Sequence, residues 1–127
     1  MKKKIITASV VALMPVLAFA ATPDQCALNS TCSFSIHGKF NKELITSDLQ
    51  SGETYVCRVI RGRGRLLSVQ NVYASKGVAY DLKGVRLNKA FVIHGPYRGT
   101  GYIRYTLHNN NDPWRVDSFQ FKCVTAN

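Results

Sequence analysis

The residues with the most evident chemistry are cations set beside glycines and aromatics. "RGRGR" places Arg61, Arg63 and Arg65 at alternate positions, "DPWRV" puts Trp114 next to Arg115, and "HGPYRGTG" carries Arg98 in a glycine-rich run. Guanidinium groups hold phosphate, sulfate or carboxylate through paired N–H donors. An exposed tryptophan beside arginine anchors sugars, bases or protein partners, although a sole tryptophan can equally plug the end of a small core. Gly95, Gly99 and Gly101 permit positive φ, so their segment is expected to form an anion-binding nest with Arg98. This is binding chemistry rather than bond-breaking chemistry.

Candidates for catalysis are sparse. The histidines are His37, His94 and His108, the acids stand singly, and no G-x-S-x-G or H-E-x-x-H motif is present. Two histidines could act as acid and base on a phosphodiester, with Arg98 or Arg104 stabilising the charged intermediate, but only if the fold brings them together. No local histidine pair or C-x-x-C spacing supports a metal or a redox site, so neither a metal nor another cofactor is expected.

The compartment is written at the N-terminus. "MKKKIITASVVALMPVLAFA" joins Lys2, Lys3 and Lys4 to an apolar run and an A-x-A ending at Ala20, the anatomy of a secretory signal peptide over residues 1–20. Its apolar run is too short to span a membrane, and no second one follows, so no integral membrane segment is expected. The lysine run has a bacterial look, which points to a periplasmic or secreted product. Cleavage takes three of the 17 basic residues, leaving 14 against seven acids in a 107-residue domain, 21–127, of net charge +7. Such a surface attracts anionic partners in general: lipid headgroups, glycans or acidic proteins. Export disfavours nucleic acid.

A domain of this size gains from covalent help. Cys26, Cys32, Cys57 and Cys123 are an even set in an exported chain and are expected to form two disulfides. The preferred pairing is Cys26 with Cys32 and Cys57 with Cys123; Cys32 with Cys57 and Cys26 with Cys123 is the alternative.

The elements that must carry these residues alternate with period two. "TCSFSI", "TYVCRVI", "RLLSVQNVY", "GVAYDL", "KAFVIH", "GYIRYTLH" and "SFQFKC" read as strands, with Val78, Tyr80 and Leu82 sharing a face in the fourth. Many short strands between Gly, Pro and Asn turns predict an all-β fold, a small antiparallel Ig-like sandwich of seven or eight strands. "RGRGR" is expected at a hairpin reversal, and "NNNDPWRV" in the long loop of a second hairpin. Aligning Tyr105 with Phe121 in that second hairpin sets Arg104 opposite Lys122, an unfavourable like-charge pair that marks a candidate anion site. Tyr102 and His108 share its outward face.

"SGETYVC" is similar to the Gly-x-Tyr-x-Cys signature of the immunoglobulin superfamily, with one extra residue between Gly52 and Tyr55. An immunoglobulin partner cysteine would lie far upstream, where only Cys26 and Cys32 precede it. The stretch also resembles the S-G-x-x-Y motif of periplasmic C-type lysozyme inhibitors at Ser51, Gly52 and Tyr55, which implies a basic enzyme as target. A chain of charge +7 would repel such an enzyme. The reading that combines these signals is an exported, basic, disulfide-stapled binding module for an anionic partner, using Arg61, Arg63, Arg65, Arg98, Tyr102, Arg104, Trp114, Arg115 and Lys122. The alternatives are a small secreted hydrolase acting on nucleic acid or another phosphodiester and a secreted enzyme inhibitor that presents the Trp114 loop.

Overall fold

Alternating burial builds most elements of this protein. The computed structural model describes residues 24–82 and 84–126; the expected signal peptide lies outside the described residues. The strands are β1 (Asp24–Gln25), β2 (Cys32–His37), β3 (Asn41–Gln50), β4 (Thr54–Arg61), β5 (Leu67–Ala74), β6 (Ala79–Tyr80), β7 (Phe91–His94), β8 (Thr100–Asn109) and β9 (Val116–Ala126). In β2, Cys32, Phe34 and Ile36 point inward while Ser33, Ser35 and His37 face solvent. β8 buries Ile103, Tyr105 and Leu107 by the same rule, and β9 buries Phe119, Phe121 and Cys123.

Two sheets result. One has five strands in the order β2-β9-β4-β7-β6 and the other four in the order β1-β3-β8-β5. Every pairing is antiparallel except the short parallel contact of β1 with β3. The core forms between the inner faces: Tyr105 on β8 meets both Phe91 on β7 and Phe121 on β9, with ring centroids 6.3 and 6.0 Å apart. Leu82 and Leu87, from the segment joining β6 to β7, are buried in the same cluster. That segment also covers the first part of the β5 edge, through Val69 N–H to the Val85 carbonyl and Leu87 N–H to the Leu67 carbonyl, so the edge is closed to further strand pairing there.

Both disulfides follow the preferred pairing. Cys26 joins Cys32 across a short loop, and Cys57 joins Cys123 with Cα atoms 4.0 Å apart. Cys57 and Cys123 stand directly opposite each other on neighbouring strands of one sheet. The signature disulfide of antibody domains instead joins the two sheets.

Several expectations are corrected. The two-sheet, all-β architecture holds, but with nine strands in the described residues rather than seven or eight. β3 was not anticipated, because its alternation breaks: Leu44 and Thr46 are buried, then a bulge around Asp48, at φ 62°, resets the pattern so that Leu49 is the next buried residue. "GVAYDL" is not one amphipathic strand; only Ala79 and Tyr80 pair, and Tyr80 is exposed while Leu82 is buried.

Neither expected hairpin forms. β4 and β5 lie in different sheets, so "RGRGR" carries the chain from one sheet to the other through a 3-10 turn at Gly64–Leu66. Its glycines are required by close approach as much as by conformation. A Cβ on Gly62, which sits at φ 102°, would lie 2.6 Å from the Ser118 carbonyl oxygen, and one on Gly64 would overlap the Leu87 carbonyl. β8 and β9 are likewise in opposite sheets, so residues expected side by side meet face to face through the core. Period-two alternation assigns a face to each residue, but it does not say which sheet the strand joins.

Candidate functional site

The end of the sandwich where β8 finishes and β9 begins is built by three consecutive asparagines. Asn109 is fully buried; its Nδ2 donates to the Ile36 carbonyl at 2.8 Å and to Asp117 Oδ2 at 2.9 Å. Asn111 Nδ2 donates to the same Asp117 oxygen at 2.8 Å, and Asn109 Oδ1 accepts from Asn111 N–H at 3.0 Å. Asn110 donates from its backbone to the Leu66 carbonyl and from its side chain to Ser68 Oγ, tying the turn to β5. The run that reads as turn chemistry is therefore a fixed frame.

The frame holds "DPWRV" in place. Gly38 N–H donates to the Arg115 carbonyl at 2.8 Å, and Arg115 N–H to the Asp112 carbonyl at 3.0 Å. Gly38 and Asp112 approach so closely that a Cβ on Gly38 would overlap the Asp112 carbonyl. Trp114 nevertheless stays 75% exposed, so it does not plug the core. Beside it Val116 is exposed and stands opposite His37, whose ring lies 5.6 Å from that of Phe40, itself 62% exposed. An aromatic and apolar rim thus borders the loop.

Arg63 and Arg115 converge next to this rim. They line a cavity of about 450 Å3 with Asn111, Asp112, Asp117 and Ser118. Partial desolvation alone would raise the Asp117 carboxyl, but the hydrogen bonds from Asn109 and Asn111, with the fields of Arg63 and Arg115, outweigh it and hold the group below its ordinary value. Asp117 is thus a carboxylate that orders the frame while two guanidinium groups stay exposed beside it.

The remaining candidates disperse. Arg61 opens onto a shallow groove of about 300 Å3 with Ser33, Ser35, Ser118 and Gln120. Arg65 is exposed, and its carbonyl accepts from Arg86 Nη1 at 2.8 Å. Arg98 lies at the other end of β8, roughly 30 Å from the Trp114 loop at ~3.3 Å per residue, beside Lys76 and the exposed Tyr97. The expected nest does not form there: of its three glycines only Gly99 has positive φ, while a Cβ on Gly95 or Gly101 would run into Gln50 or Ser75.

Arg104 and Lys122 do not face each other; they project from opposite outer faces of the sandwich. Arg104 Nε lies 3.2 Å from Glu43 Oε2, without the alignment of a hydrogen bond, and its guanidinium sits 5.9 Å from the centre of the Tyr73 ring. Tyr102 packs its ring 6.1 Å from Tyr73 on that face. Lys122 stands opposite Arg58 instead. The histidines do not converge on one place: His108 Nδ1 is 2.7 Å from Asn41 Oδ1, His37 is next to Phe40, and His94, at the far end of β4, is 3.1 Å from Thr54 Oγ1. Among the described residues no cluster of His, Cys, Asp or Glu could hold a metal ion.

Sequence reasoning missed Arg58, the Asp117 network and a groove of about 780 Å3 beside β7, lined by Tyr80, Arg86, Lys89, Val92 and His94 among others. Arg58 alone had a usable signal, because a Cys57–Cys123 bridge between antiparallel strands sets residue 58 against residue 122. Among the described residues no helix is long and apolar enough to cross a membrane, and the two disulfides fit an exported protein. No protein-family model matches the chain, and no curated protein or solved structure is significantly similar to it.

Proposed function

We propose that the chain is an exported binding module that contacts an anionic partner through the end carrying Trp114, Arg115 and Arg63. The partner is an envelope lipid headgroup, a glycan or a component of an envelope protein assembly. The observation that carries this reading is Trp114: a large ring left 75% exposed on a loop whose backbone is fixed by hydrogen bonds. A ring carried on a fixed backbone leaves less chain freedom to be lost on binding, which is the physical basis of an anchor. Arg63 and Arg115 add two guanidinium groups within one cavity, and the net charge steers anions toward them.

The test is binding of the mature chain to anionic vesicles, to anionic glycans and to envelope extract across a salt series. Trp114→Ala and the pair Arg63→Gln with Arg115→Gln are the variants. Loss of binding in both, with salt-sensitive affinity in the parent, supports the reading; unchanged binding in both overturns it. An inhibitor role uses the same protruding loop and is separated by its response to salt, since a shape-driven protein interface is much less sensitive.

A further inference from the structure

The outer face of β2, β9 and β4 carries a row of cations that none of these contacts uses. Lys122 stands opposite Arg58, and Arg61 stands opposite Gln120, one step along the same face. Among the described residues none of the three has a carboxylate within ion-pair distance; the ion pairs there are Lys42 with Asp24 and Arg104 with Glu43. The outward positions of these strands hold no acid at all. Two cations directly opposed in a sheet repel, and the neighbouring Cys57–Cys123 bridge prevents the strands from separating to relieve them.

Hydroxyl and amide groups continue the row. Gln120 faces Ser33, and Ser118 faces Ser35 with their Oγ atoms 2.8 Å apart, forming with Arg61 the groove of about 300 Å3. Along β9, Lys122, Gln120 and Ser118 are spaced by about 7 Å, two strand residues each. The outward positions of β2, β4 and β9 present no Phe, Tyr or Trp, so the face lacks the stacking platform used for single-stranded nucleic acid. Cations at two successive levels, Arg58 with Lys122 and then Arg61, followed by hydroxyl and amide groups, match a linear chain that bears both anionic groups and hydroxyls.

We propose that the outer face of β2, β9 and β4 binds a linear anionic polysaccharide lying along β9, held by Arg58, Lys122 and Arg61 at its charged groups. This rests on the anionic-partner reading above but places the glycan on a different set of residues from Trp114, Arg63 and Arg115. The measurement is titration of the mature chain with size-defined heparin oligosaccharides, with neutral dextran, duplex DNA and phosphatidylglycerol vesicles as alternatives. Affinity for heparin fragments should rise with length until the row is covered. Arg58→Gln with Lys122→Gln should lower it about tenfold, the equivalent of one charge-assisted contact at its weaker end, while Lys42→Gln, a cation of the other sheet, changes it less than twofold.

Because that double variant removes a repulsive pair, it should fold at least as stably as the parent, and its thermal midpoint checks this. Equal affinity of parent and double variant overturns the proposal. So does absence of heparin binding, or binding of DNA or vesicles in preference to it. Loss of heparin binding in Trp114→Ala alone leaves the loop reading standing without the sheet face, and loss in Arg58→Gln with Lys122→Gln alone does the reverse.

Discussion

Tyr105 on β8 meets Phe121 on β9 edge to face across the core, with ring centroids 6.0 Å apart and an interplanar angle of 66°. Both are fully buried, and Phe91 closes the cluster. Truncating either ring leaves a cavity between two sheets that are held apart by their other side chains. Phe121→Ala should therefore cost about 3–5 kcal/mol in denaturant unfolding. A double-mutant cycle with Tyr105→Leu should show coupling of about 0.5–1.5 kcal/mol, as expected for an aromatic pair beyond its area burial.

Tyr105 also sets an alkaline limit. Burial pushes its hydroxyl well above the ordinary tyrosine value, partly offset by a hydrogen bond with Thr46. A group whose folded value is raised contributes stability that is complete below the unfolded value, near 10, and is lost as pH rises beyond it, because only the unfolded chain can ionise there. Stability should fall above about pH 10. Tyr105→Phe should flatten that fall, as read from unfolding curves at several alkaline pH values.

The two disulfides should contribute unequally. Cys57–Cys123 spans 66 residues and Cys26–Cys32 only 6, so restriction of the unfolded chain predicts about 4 kcal/mol for the first and about 2 kcal/mol for the second. Paired Cys→Ala variants measured by chemical denaturation check the order. A larger loss for the Cys26/Cys32 pair would refute it.

Much of this fold was legible because period-two burial is written directly into β2, β8 and β9, and because four cysteines behind a signal-like N-terminus invite two bridges. What alternation could not provide was sheet membership. β4 and β5 look like a hairpin around "RGRGR" until the close approaches of Gly62 to Ser118 and Gly64 to Leu87 are seen, and both are contacts far apart in sequence. β3 was hidden by a bulge that interrupts its period. The site was partly legible for the same reason: Trp114, Arg115 and Arg63 stood out by type, but the meeting of Arg63 and Arg115 in one cavity rests on a turn ordered by Asn109, which bonds to β2 and β9. Arg104 and Lys122 were paired on a hairpin that does not exist, whereas the preferred bridge already implied Arg58 opposite Lys122.

Asp117 ties acid stability to the loop. Its carboxyl is held below the usual value, so the stability it adds is present above its unfolded value of about 3.9 and is lost as pH falls through the lower folded one. Asp117→Asn should cost about 1 kcal/mol at neutral pH through weakened hydrogen bonds. It should also remove part of the acid dependence, so the two stability curves should converge below about pH 4. Parallel curves throughout would show that the network does not depend on the charge.

Trp114 is the sole tryptophan, so its fluorescence reports on this loop alone. An exposed ring in a fixed frame predicts red-shifted emission that acrylamide quenches readily, together with high steady-state anisotropy. Trp114→Ala should leave stability within about 0.5 kcal/mol, as for a surface substitution away from packed features. Asn109→Ala should instead destabilise the chain by about 1–3 kcal/mol, because it strips buried partners from the Ile36 carbonyl and Asp117. Anisotropy of Trp114 should fall in the Asn109 variant even under conditions where the fold persists. If anisotropy stays at the parent value, the asparagine frame is not what holds Trp114, and the preorganisation that makes it an anchor must come from elsewhere.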